Sequence, residues 1–156
     1  MTSFLNHLTK LYQERVERYR NRPFLKAAMA ACALVAVVDG KVSFSQRVRV
    51  DQILETLDKL KVYDPHEGVD LFNDFVDRIL ASPKTGHAKA VEAVQSVAEN
   101  KDTARMLIRL CLAVSERNGK ISMVEQVEIV SLCNLLGIDP SEVNLYSENL
   151  HLDAND

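Results

Sequence analysis

Two stretches of this 156-residue chain repeat one another, and the repeat favours folds built from two copies of one unit. Residues 39–46 read Asp39-Gly40-Lys41-Val42-Ser43-Phe44-Ser45-Gln46, and residues 118–125 read Asn118-Gly119-Lys120-Ile121-Ser122-Met123-Val124-Glu125. The register extends outward at a constant offset, pairing Cys32 with Cys111, Val35 with Val114 and Val48 with Val127. Each copy of the phrase follows a hydrophobic run with helical spacing. The unit is therefore a helix–turn–helix with polar groups at its turn.

The rest of the chain is patterned in the same way. Phe4, Leu8, Leu11, Tyr12, Val16 and Tyr19 form one stripe at three- and four-residue steps. A second helix begins near Pro23 and runs to about Asp39, and a third starts at Ser43. Asp64-Pro65-His66-Glu67 reads as an N-cap, a first-turn proline and a capping-box glutamate, opening a helix through Leu80. Ser82-Pro83-Lys84-Thr85-Gly86 reads as a break, followed by a helix from about His87 to Glu99. Asp102 is placed to cap the next helix, Ser122 opens another, and Asp139-Pro140-Ser141-Glu142 starts a short last one. No segment has the period-two, β-branched pattern of a strand.

These elements predict an all-α fold of about seven to eight helices in one domain, residues 1–156. Two pseudo-symmetric hairpins, about 24–60 and 104–136, pack as a bundle. Residues 1–22 form a basic helix outside it, residues 64–100 bridge the hairpins, and 153–156 are a loose tail.

Hydrophobic residues make up 47% of the chain, enough for a buried core. The longest apolar run, Ala27–Val38, is too short to span a bilayer and fits a central helix. Three cysteines without a C-x-x-C pair suggest reduced thiols, and the start lacks a signal-peptide profile, so a cytoplasmic protein is expected. Charge is polarised along the chain. Residues 1–26 carry six Lys/Arg against Glu14 and Glu17, whereas after Lys120 there are seven acids and no base.

The repeated phrase resembles the second half of a calcium loop, but the ligand count fails. With Gln46 and Glu125 as closing residues, the opening ligand positions fall on Val35 and Val114, and valine cannot coordinate a hard cation. Helix capping explains much of the phrase. Gly40 and Gly119 suit left-handed helix ends, while Ser43…Gln46 and Ser122…Glu125 are capping boxes. Asp39 and Glu116 are less easily explained, because each sits where the helix dipole disfavours a carboxylate. Asp39, Glu116 and Glu125 are thus candidate ligands for a divalent cation, calcium or magnesium.

Ala36-Val37-Val38-Asp39-Gly40-Lys41-Val42 together with the phrase at 118–125 resembles the TerB-like family of bacterial tellurite-resistance proteins. Asp51-Gln52-Ile53-Leu54-Glu55-Thr56-Leu57-Asp58 and Leu132-Cys133-Asn134-Leu135-Leu136-Gly137-Ile138 belong to the same resemblance, which spans about Phe24 to Leu152. It implies an all-helical fold with internal pseudo-symmetry and a non-enzymatic cytoplasmic role in a tellurite-stress system, peripheral to the inner membrane. It further implies a divalent-cation site at the turns, with other Ter proteins as partners, an integral membrane protein among them. Asp39 and Glu125 match the family's acidic positions. Gln46 and Asn118 depart from them, standing where a glutamate and an aspartate are usual.

Other constellations suggest surfaces. Asp51, Glu55 and Asp58 share a helix face, a solvated stripe or an acidic docking surface. Arg15 and Arg18, with Arg20, Arg22 and two tyrosines, could meet anionic lipid or an acidic partner; no motif supports nucleic acid. Cys32 and Cys111 occupy equivalent apolar positions, which suggests core rather than thiolate chemistry. No activated nucleophile or phosphate-binding loop is present in the sequence. Two functions are therefore expected: a non-enzymatic adaptor with a cation at the repeated turns, or a purely structural interaction module without one.

Overall fold

The computed structural model of the chain describes residue 6 and residues 22–59, 65–143 and 151–153. Within them the elements are α1 (Arg22–Ala36), α2 (Phe44–Lys59), α3 (Pro65–Ala81), α4 (Pro83–Gln95), α5 (Lys101–Ser115), β1 (Lys120–Ser122), α6 (Met123–Leu136), a 3-10 turn (Pro140–Val143) and β2 (His151–Asp153). The chain is all-α. The helix expected within residues 1–22 lies outside the described residues, apart from Asn6, which is helical, and its boundary at Arg22.

α1 is the axis of the fold. Its composition, RPFLKAAMAACALVA, has no polar residue after Lys26, and Ala27 to Ala36 are buried on every side. Alanine lets neighbours come close, and α1 packs against α3, α4, α5 and α6. α5 spans the residues that correspond to α1 in the repeat, and it too is buried almost throughout. α2 packs against α5, and α6 against both α5 and α1. The second helix of each hairpin therefore touches the first helix of the other, as expected for two copies related by an approximate twofold.

Two expectations need adjusting. The stretch at Ser82–Gly86 is only a one-residue joint: Ser82 precedes α4, Pro83 occupies a first helical position, and Gly86 lies inside the helix. A Cβ on Gly86 would sit 2.5 Å from the Arg78 carbonyl oxygen, so glycine is required by the close approach of α3 and α4. The cap of α5 is Asn100, whose side chain accepts from the Thr103 N–H at 3.1 Å; Asp102 pairs instead with Arg105 at 3.0 Å.

A small parallel pairing was not expected either. Lys120–Ser122 runs beside His151–Asp153, with Ile121 opposite Leu152. At three residues each, the strands fall below the length at which period two can be read from sequence. The acidic Asp139-Pro140-Ser141-Glu142 behaves as its spelling suggests. Asp139 accepts from the Ser141 N–H and hydroxyl, and these bonds hold its carboxyl below the usual range.

Candidate functional site at the paired turns

Both turns begin where a buried helix ends, but they end it differently. After α1 the chain loosens over Val37–Asp39, and Gly40 takes a positive φ of 88° while its N–H bonds to the Val37 carbonyl at 2.7 Å. After α5 the chain makes a tight reversal. Asn118 and Gly119 both have positive φ, 55° and 78°, and Arg117 and Lys120 exchange backbone hydrogen bonds at 2.7 and 3.0 Å. Positive φ at both central residues is what a two-residue type I′ hairpin demands, and Asn-Gly is its preferred sequence. The reading of Gly119 as a helix end is thereby corrected: α5 stops earlier, at Ser115, with Glu116 as its C-cap.

The serines cap as expected. Gln46 N–H donates to Ser43 Oγ at 3.2 Å, and Ser43 N–H donates to Gln46 Oε1 at 2.9 Å, a complete capping box at the start of α2. Glu125 N–H donates to Ser122 Oγ at 3.1 Å, but the Glu125 carboxylate does not complete the reciprocal bond in the same way. It accepts from the Ser122 hydroxyl at 2.8 Å and from Arg117 at 3.3 Å through Oε1, and from Gln46 Nε2 at 2.9 Å through Oε2.

The Gln46–Glu125 bond joins the two turns across 79 residues. Glu125 is only 1% exposed and Gln46 only 4%. A buried hydrogen bond to a charged group is worth about 1.5–3 kcal/mol, more than the few tenths to about 1 kcal/mol of a carboxylate at a helix N-terminus. The contact between turns therefore outweighs the local cap. It also explains why an amide suits position 46, since Gln46 supplies a donor where a glutamate would set two carboxylates against each other.

A second fastening lies beside the first. Arg49 on α2 donates to the Glu116 backbone carbonyl at 3.2 Å and lies 3.9 Å from its Oε2. Burial pulls Arg49 below its ordinary pKa, and the Glu116 charge opposes that shift. Glu116, 2% exposed, takes the Gly119 N–H on Oε1, which answers the unfavourable helix-end dipole. Its Oε2 and Arg49 Nη1 are buried without a hydrogen-bond partner among the described residues.

The three candidate cation ligands thus differ. Glu116 and Glu125 are buried at the joined turns, each beside an arginine, whereas Asp39 is exposed on the first turn. Among the described residues no group of three or more His, Cys, Asp or Glu is arranged to hold a metal ion. Asp51 and Glu55 are exposed on α2, as a docking face requires. Asp58 is on the same helix, but its side chain, like Arg15 and Arg18, lies outside the described residues.

All three cysteines are free and buried. The hydrogen bond with Cys32, then burial, pushes the Cys111 thiol up; burial, then Asp139 and Glu142, push Cys133 to about 11. Such thiols are poor nucleophiles at neutral pH. Beside the exposed Asp39, Lys41, Asn118 and Lys120, the turns also present apolar side chains to solvent. Phe44 is 82% exposed and its repeat counterpart Met123 47%, with Val48 and Val127 one helical turn beyond each.

The fold and site define a class: an all-helical protein made of a duplicated hairpin whose turns are fastened to each other. The family model described as tellurite resistance protein TerB matches residues 25–147, and the chain belongs to that family. It is 26% identical over 110 residues to the tellurium resistance protein TerB of Alcaligenes sp., covering 70% of this chain and 87% of that protein. No solved structure matches. No helix among the described residues is long and apolar enough to cross a membrane.

Proposed function

We propose that this chain is a non-enzymatic interaction module of a tellurite-resistance system, in which the fastened turns hold two hairpins as one rigid frame. The observation that carries this reading is the Gln46–Glu125 bond. It fixes the starts of α2 and α6 relative to each other, and the exposed Phe44, Val48, Met123 and Val127 ride on those two helix starts. Exposed apolar side chains on a rigid support favour binding over chemistry. Family membership supplies the process. Other Ter proteins are the proposed partners, one of them integral to the inner membrane, with the module on its cytoplasmic side.

A pull-down from cells carrying the other Ter components tests this. Phe44→Ser with Met123→Ser should abolish capture while circular dichroism stays unchanged; undiminished capture would remove these side chains from the interface.

One observation favours a second reading, with a divalent cation at the turns. Glu116 Oε2 is a buried carboxylate oxygen without a hydrogen bond, and Asp39 offers a further carboxylate on the companion turn. Against it stand Arg49 beside Glu116 and the donors filling both oxygens of Glu125. Calorimetric titration with calcium and magnesium separates the readings. Binding tighter than millimolar that is lost in Glu116→Gln and Asp39→Asn supports the cation, and silent titrations support the module without one.

A further inference from the structure

The approximate twofold makes the Arg49–Glu116 contact informative about the opposite side of the molecule. The repeat counterpart of Arg49 is Glu128, and that of Glu116 is Val37. Glu128 and Val37 line one open cleft of about 470 Å3, together with residues of α1, α3 and α4. Where one half of the molecule holds a guanidinium against a carboxylate, the other sets a carboxylate over an apolar wall of Leu34, Val37 and Ile79.

The polar groups at this cleft form an incomplete pair. His87 Nε2 lies 3.9 Å from Glu128 Oε1, too far for a direct hydrogen bond, and Lys84 lines the same cleft. Burial pushes the Glu128 carboxyl up, and His87 opposes the shift. The cleft is open, and its apolar wall with a few polar groups at the rim has the lining chemistry of a small-molecule site.

We propose that this cleft binds an apolar α-amino acid, its ammonium on Glu128, its carboxylate on His87 and Lys84, and its side chain against Leu34, Val37 and Ile79. A zwitterion uses both signs of charge at the rim. A simple amine would leave Lys84 facing a cation, and a simple acid would leave Glu128 facing an anion. Glu128 and His87 stand side by side at the rim, 3.9 Å apart, so the neighbouring ammonium and carboxylate of an α-amino acid can pair with one each. The cleft takes Val37 and Val38 from the first turn but none of the residues that fasten the turns together, so its ligand can be tested separately from the adaptor reading.

The test is an NMR titration of the full chain with L-phenylalanine, phenethylamine and 3-phenylpropionate. Saturable amide shifts on α4 and α6 are expected with phenylalanine. The two analogues should bind at least roughly tenfold more weakly, the loss of a charge-assisted contact. Glu128→Gln, which leaves the wall intact, should bring phenylalanine down to the level of 3-phenylpropionate, and Lys84→Gln should weaken it. Equal binding of phenylalanine and either analogue would overturn the proposal, as would no saturable shift with phenylalanine or undiminished binding to Glu128→Gln.

Discussion

The two turns of this protein descend from one phrase and do opposite things with charge. The first shows its carboxylate, Asp39, to solvent and puts Val37 against the core; the second buries Glu116 and Glu125 and surrounds them with Arg49, Arg117 and Gln46. The serine caps are common to both, while the polar contacts between the turns are not symmetric. Duplication thus preserves helix starts, which depend on a few residues each, and leaves the join between the copies free to become polar on one side only.

That contrast predicts a graded set of effects. The largest is expected for Glu125→Ala, which removes the acceptor shared by Gln46 Nε2, the Ser122 hydroxyl and Arg117. A cap alone would cost about 1 kcal/mol, but loss of the buried charged acceptor should cost about 2–4 kcal/mol in urea denaturation. A loss of only the capping value would mean the turns are not fastened through this residue.

Next comes Gln46→Glu, about 2–3 kcal/mol less stable at neutral pH because two carboxylates meet in a buried space. The mutual repulsion raises the folded-state pKa of one of them above its unfolded value. The penalty is therefore present above that raised value and is lost as pH falls through it. Melting curves from pH 7 to pH 4 should show the variant converging on the parent chain; a constant gap would contradict the placement of these two side chains.

Arg49→Gln and Glu128→Gln form a matched pair at equivalent positions. The first leaves Glu116 buried without its guanidinium and should cost about 2 kcal/mol. The second removes a carboxylate whose pKa burial raises, so its ionised form weakens the fold above the ordinary value of 4.5. Glu128→Gln should therefore be neutral to slightly stabilising at pH 7, within about 0.5 kcal/mol. That gain should disappear once pH falls below the ordinary carboxylate range. Equal losses in both variants would mean that the two halves are electrostatically alike. The smallest effect belongs to Asp39→Asn, whose exposed carboxylate should alter thermal stability by less than about 0.5 kcal/mol.

Much of the frame was legible in the sequence because its signals are local. The apolar run Ala27–Val38, the serine caps and the acidic 139–142 stretch each act within a few residues, so spacing was sufficient to read them. Asn118-Gly119 also carried a local signal, the preferred pair of a type I′ turn, but the parallel with Asp39-Gly40 drew it toward a helix end. Gln46 and Arg49 were a different matter. Gln46 was legible as a capping-box residue and as a departure from the family's glutamate, and Arg49 not at all, since nothing within a few residues shows which side chain of the other copy each one meets. Only the packing of α2 against α5 and the closeness of the turns make them the donors for Glu125 and Glu116.

The direct fastening of the two turns is most sharply tested by a double-mutant cycle on Gln46→Ala and Glu125→Ala, read by urea denaturation. Coupling of about 1.5 kcal/mol or more between the two changes is predicted, the signature of a buried charge-assisted hydrogen bond. Additivity within about 0.3–0.5 kcal/mol would show that the turns are held by something other than this bond.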